Sequence, residues 1–170
     1  AKTSSWIKVE TFDQVVNHFK VSYFAGALLI PEKRLIKDIN LWLENTHFDG
    51  SALAKLMAEY DATPAMFLYR MSQIMPTHFG VTKMHYMRIN HPIGSDVFRI
   101  NKELNLTNVF IPRGIGPGEH HCRRWAAISG LQQLDTESIG EGNVNVLAQR
   151  STFTHQNKTF FNVAVVREKS

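Results

Sequence analysis

The hydrophobic period of this chain changes once, just after Gly80, and that change constrains the fold more than any other feature. Before it, apolar residues recur at helical spacing. After it, Met84, Tyr86 and Arg88 alternate with His85, Met87 and Ile89 in the two-residue rhythm of a half-buried strand. The expectation is an α+β fold, with a helical N-terminal half packed on or beside a mainly antiparallel β-sheet C-terminal half. The boundary falls between Pro76 and Thr82, giving a helical region over residues 1–80 and a β-rich region over 81–170.

Four helices are expected in the first half. Thr11 and Gln14 have the spacing of a capping box, and Val15, Phe19 and Tyr23 follow on one stripe. That helix ends in Phe24 to Pro31, apolar on every side, with small Ala25, Gly26 and Ala27 allowing close approach. It is therefore expected to be buried by neighbours on all faces. Pro31 suits a first helical position, and Leu35, Ile39 and Trp42 mark a second helix closed at Asp49-Gly50. Leu53, Leu56, Met57 and Tyr60 form a third stripe. Thr63-Pro64 caps a fourth, which carries Phe67, Leu68 and Met71 and is expected to stop at Pro76.

In the second half, β-like runs follow at Val97 to Ile100 and Leu104 to Ile111. A glycine-rich loop from Arg113 to Gly118 leads to a short helix around Arg124 to Leu134. Val144 to Thr154 and Thr159 to Arg167 read as strands of a hairpin, joined by a polar turn.

With 44% hydrophobic residues in 170, the chain is long enough to bury a proper core. Its single cysteine, Cys122, excludes an intramolecular disulfide and fits a reducing compartment. The longest apolar run is far below the roughly 20 residues needed to cross a bilayer, so no membrane association and a cytoplasmic location are expected. A net charge of +4 suits nucleic acid, a phosphorylated small ligand, or plain solubility.

The segment from Arg113 to Trp125 holds the densest chemistry. Glycines expose backbone donors, and arginines offer planar forks that suit phosphate oxygens. Arg113, Gly116, His121, Cys122, Arg123, Arg124 and Trp125 form the candidate ligand-binding set, with Phe110 or Phe160 available beside Trp125 to wall an apolar or ring-bearing end. His120, His121 and Cys122 mix metal-binding side chains, but adjacent residues rarely converge on one ion, and His85, His91 and His155 follow no ligand spacing. No catalytic signature surrounds Cys122, so no catalytic residue is assigned. Leu53 to Met75 has the outline of a helix-turn-helix, yet its second helix offers only Arg70 as a cation, so it reads as a packing element.

Two segments carry a family resemblance. HFKVSYFAGALLIP together with LAKLMAEYDATPAMFLYRMSQI resembles the C-terminal part of ImmA/IrrE-type metallopeptidase domains. IPRG, GEHHCRRW and KTFFNVAVVR are similar to the C-terminal domain of XRE-type transcription regulators that respond to short-chain fatty acyl-CoA. In those relatives the cysteine is followed three residues on by Trp and three further by His; Cys122 and Trp125 fit, and position 128 is Ile.

The resemblance implies an effector-sensing portion of a bacterial regulator that binds a small acyl-CoA-like metabolite. The full-length protein would form a homodimer and hold DNA through an N-terminal helix-turn-helix. His18 stands where the peptidase family carries a zinc-binding glutamate, so it is a metal candidate if ligands are supplied from upstream. No cofactor is expected within this chain, with zinc an option for the full-length protein. An HExxH motif is missing from these residues. The alternatives are a fragment of a zinc metallopeptidase whose HExxH lies upstream, or a structural dimerisation module.

Overall fold

The computed structural model describes residues 10–107, 125–153 and 157–168. Among them the order is α1 (Phe12–Leu29), α2 (Glu32–Leu43), α3 (Gly50–Ala58), α4 (Pro64–Phe79), β1 (His85–Asn90), β2 (Arg99–Asn105), α5 (Ala126–Gln133), β3 (Asn145–Phe153) and β4 (Lys158–Val166). The strands form two antiparallel pairs, β1–β2 and β3–β4. The fold is α+β, with the helices mainly in the first half.

Helix starts follow the caps written in the sequence. The Thr11 hydroxyl accepts from the Gln14 N–H at 3.3 Å, and the Gln14 side chain accepts from the Thr11 N–H at 3.4 Å, closing the capping box of α1. Asp49 accepts from the N–H groups of Ser51 and Ala52 at 2.8 and 3.0 Å to start α3. The Thr63 hydroxyl accepts from Met66 N–H ahead of Pro64 in α4.

Pro76 does not stop α4, which runs three residues further, to Phe79. Proline already prefers helical φ and forfeits only the donor that would have reached Ser72. The helix ends instead at Gly80, in the left-handed conformation at φ 68°, where the N–H groups of Gly80 and Val81 both reach the Met75 carbonyl.

Ile30, Leu35, Ile39, Leu53, Met57, Tyr60, Phe67 and Ile74 build the helical core, and Val144, Val146, Val163 and Val165 from the second hairpin region pack against it. The helical half and the β3–β4 hairpin thus share one apolar interior. An aromatic chain, Trp42 to Phe48 to Phe161, ties α2 to β4 through edge-on contacts. On the other side of the hairpin, α5 buries Ile128 completely.

α1 departs most from expectation. None of its residues is buried, and Phe24 and Leu28 are about two-thirds exposed. Only its C-cap, Ile30, enters the core. Gly26 is not a close-approach site either, because nothing lies within 4 Å of where its Cβ would stand. Apolar composition on all sides says that burial is favourable; which neighbour reaches the helix is set by tertiary contacts that composition does not encode.

The two β-like runs expected at Val97–Ile100 and Leu104–Ile111 are a single strand over residues 99–105 among the described residues, because pairing with β1 carries the polar Lys102 and Glu103 and the register shifts past Asn101. Residues 108–111 lie outside the described residues. The β3–β4 hairpin and α5 form where the alternation and the Trp125, Ile128, Leu131 spacing place them.

Candidate functional site

A cavity of about 1090 Å³ opens where the first turns of α4 and α5, the β1–β2 ribbon and strand β4 converge. That volume lies at the upper end of the ~300–1,000 Å³ usual for small-molecule sites. Met87, Ile89, Leu131, Leu134 and Val163 give it apolar surface, and Tyr86, Trp125 and Phe160 bring aromatic rings to it. The N-terminal turns of two helices border it, and helix N-termini present free N–H groups and partial positive charge.

The charge at this cavity is unevenly satisfied. Glu168 lines it, while Asp135 and Glu103 stand outside the lining and bond to its His91 and His85; all three carboxylates are engaged. Asp135, at the end of α5, accepts from the Gly94 N–H at 2.8 Å and from His91 Nε2 at 3.0 Å, and these two bonds hold its carboxyl below the usual range. Glu168 is lowered by the Ser138 hydroxyl first and the Ile139 N–H second, the latter at 2.8 Å. Glu103 meets His85 Nε2 at 3.0 Å. By contrast, Arg88, Arg99 and Arg167 all line the cavity, and none makes an ion pair or hydrogen bond with another described residue. Guanidinium groups beside an apolar wall can pair with an anion that carries an apolar body.

His91 belongs to the wall as well. Its side chain is 1% exposed, its ring stacks on Phe98 with centroids 4.3 Å apart, and its Nδ1 faces the Val97 carbonyl at 3.1 Å. The ring nitrogens thus meet the Val97 carbonyl on one side and the Asp135 carboxylate on the other. The role of this pair is to pin the loop after β1 to the end of α5.

Of the residues singled out from sequence, Trp125 is the N-cap of α5 and lines the cavity, together with Phe160. Arg113, Gly116, His121, Cys122, Arg123 and Arg124, with His120, Phe110 and His155, lie outside the described residues. His18 stands exposed on α1. No group of three His, Cys, Asp or Glu side chains gathers at metal-binding distance among the described residues, so His18 does not of itself make a zinc site. Arg70, the one cation in the second helix of the helix-turn-helix outline, is 2% exposed and donates to the Ile30 carbonyl at 3.3 Å and to Gln73 at 2.9 Å. It is spent on packing.

Sequence reasoning missed Arg88, Arg99 and Arg167, because a charged residue at an alternate strand position reads as a solvated face. A signal was present: residues 84–95 carry a basic and two histidine side chains without a single carboxylate. No protein-family model, curated protein or solved structure matches this chain. No helix among the described residues is long and apolar enough to cross a membrane.

Proposed function

We propose that this chain is the effector-sensing portion of a bacterial cytoplasmic transcription regulator of XRE type, and that it binds a small acyl-CoA-like metabolite in the cavity between α4, α5, β1–β2 and β4. The observation that carries the reading is the coexistence of uncommitted Arg88, Arg99 and Arg167 with apolar and aromatic wall on one cavity of about 1090 Å³. An acyl-CoA offers phosphates to the arginines, a ring for stacking on Trp125 or Phe160, and an acyl chain for the apolar side. The loop from Arg113 to Arg124, singled out for the same chemistry, joins the chain directly before Trp125. Ligand seated here shifts the arrangement of a homodimer whose DNA contacts are made by a helix-turn-helix elsewhere in the regulator.

Calorimetric titration with acetyl-, propionyl- and butyryl-CoA tests it. Saturable binding that weakens with added salt supports the reading. No heat at millimolar ligand overturns it.

A second reading, a structural dimerisation module, is favoured by α1. Phe12, Phe19, Tyr23 and Phe24 are between 40% and 78% exposed, and Val21, Phe24 and Leu28 share a stripe that is about two-thirds exposed. The occupant of that surface is a second copy of the chain. The metallopeptidase alternative rests on His18 and the FAGALLIP segment, and an upstream gene sequence lacking HExxH removes it.

A further inference from the structure

The β1–β2 ribbon contains a pairing that a folded chain ordinarily avoids. Arg88 and Lys102 are directly opposite one another across the antiparallel register, so their side chains leave the same face. Arg99 stands opposite Asn90, two residues on from Arg88 along β1, beyond an irregularity of the register that leaves Asn101 of β2 without a partner. Like charges facing each other across strands destabilise the pairing. No ion pair with another described residue relieves them: Glu103, the carboxylate within the ribbon, is opposite Met87 on the other face and is held by His85.

Among the described residues, Lys102 is met by a ring rather than by a carboxylate. Its ammonium sits 3.4 Å from the centroid of Tyr69 on α4, and Tyr69 packs on Tyr86 of the same ribbon face. Partial burial, and then the charge of Arg88, lower the Lys102 pKa although much of the residue remains exposed. Arg88 and Lys102 thus face each other across the ribbon, and Arg88 and Arg99 line the cavity beside it.

We propose that Arg88, Lys102 and Arg99 form a subsite for two adjacent phosphate groups, a pyrophosphate-type dianion or a more highly charged form of it. A single carboxylate would neutralise one of these cations. Linked phosphates bridge two or three at once, and guanidinium forks bind their oxygens pairwise. The uncompensated repulsion is the stability given up in the empty state and regained when phosphates occupy the face. The identity of the ligand's other end, an acyl chain lying towards α5 and β4, rests on the sensor reading above; the phosphate subsite itself does not.

Thermal denaturation of the full chain, with inorganic pyrophosphate, ADP, acetyl-CoA and phosphate-free acetyl-pantetheine as probes, tests the subsite in wild type and in Arg88→Gln, Lys102→Gln and Arg99→Gln. Pyrophosphate is expected to raise the wild-type midpoint. Each substitution is expected to raise the ligand-free midpoint while weakening pyrophosphate at least about tenfold, the equivalent of one lost charge-assisted hydrogen bond. A residue with a merely structural role would lower the ligand-free midpoint instead. Arg99→Gln, at an exposed position, keeps the test open should either central variant fail to fold.

Equal pyrophosphate binding by wild type and all variants overturns the subsite. So does acetyl-CoA binding without pyrophosphate binding, which leaves the sensor reading standing. Pyrophosphate and ADP binding without any response to acetyl-CoA supports the subsite and removes the acyl-CoA assignment. Stabilisation by acetyl-pantetheine equal to that by acetyl-CoA also overturns the subsite, and no response to any probe overturns both.

Discussion

His91 meets Asp135 at 3.0 Å from a side chain that is 1% exposed, joining the loop after β1 to the last turn of α5 across 44 residues of sequence. His91 lines the cavity, and the strength of its bond depends on the charge of Asp135. The Gly94 N–H and His91 both favour the ionised carboxylate, so its folded pKa is depressed below the unfolded value of about 3.9. A depressed carboxylate contributes stability that is present above the unfolded pKa and is lost as pH falls through the folded one. Asp135→Asn is therefore expected to melt below wild type at pH 7. The gap should close as the pH is lowered from about 4 towards 2, followed by circular dichroism. A gap that stays constant down to pH 2 contradicts the assignment.

Arg70 ties three helices at one point. It donates to Ile30 at the end of α1, lies 3.5 Å from Glu32 at the start of α2, and belongs to α4. Arg70→Ala leaves the buried Ile30 carbonyl without its side-chain donor, at a cost of about 1–3 kcal/mol. Urea denaturation measures it, with increased proteolysis within α1 as the local sign. A change within experimental error would mean that α1 is held by other contacts.

Phe67 is fully buried and stacks on Tyr60 at 5.3 Å in the helical core. Phe67→Ala is expected to destabilise by roughly 3–5 kcal/mol through lost burial and the cavity left behind. Unfolding midpoints in urea report it. Phe161→Ala, at a 60% exposed position, serves as the contrasting site and should cost much less.

The exposed face of α1 predicts self-association. Val21, Phe24 and Leu28 recur at three- and four-residue spacing and are each about two-thirds exposed. Sedimentation should find a dimer in wild type and a monomer in Phe24→Asp with Leu28→Asp. A wild-type monomer at high concentration removes the dimer from the proposal.

Gly130 makes a prediction against helix propensity. Alanine is favoured over glycine in a helix by about 1 kcal/mol, yet a Cβ on Gly130 would stand 2.7 Å from Leu147 Cδ1 and from Val166 Cγ2. The leucine tip can turn away; the β-branched valine is stiff. Gly130→Ala is expected to be net destabilising by about 1 kcal/mol or more, measured by chemical denaturation. Net stabilisation would show that α5 lifts off the hairpin without penalty.

Local signals carried most of the fold. Capping residues at Thr11, Asp49 and Thr63 mark helix starts because they act within one turn, and the alternation in β1, β3 and β4 marks strands because burial on one face repeats every second residue. Where tertiary contacts decide, the sequence was silent or misleading. Nothing local says that α1 stays uncovered, that α4 runs through Pro76, or that Arg88 pairs with Lys102. For the site, Trp125 was legible as part of a dense motif, whereas Arg88, Arg99 and Arg167 become neighbours of one cavity only when a ribbon and a distant hairpin meet.

Gly50 gives this architecture a mechanical property. A Cβ there would meet the Val146 carbonyl oxygen at 2.8 Å, so the backbone of α3 lies directly against the backbone of β3 with no side chain between them. Side chains absorb small displacements by changing rotamer, and main chain does not. When the hairpin wall of the cavity is pushed, this contact has no slack, and α3 must travel with it.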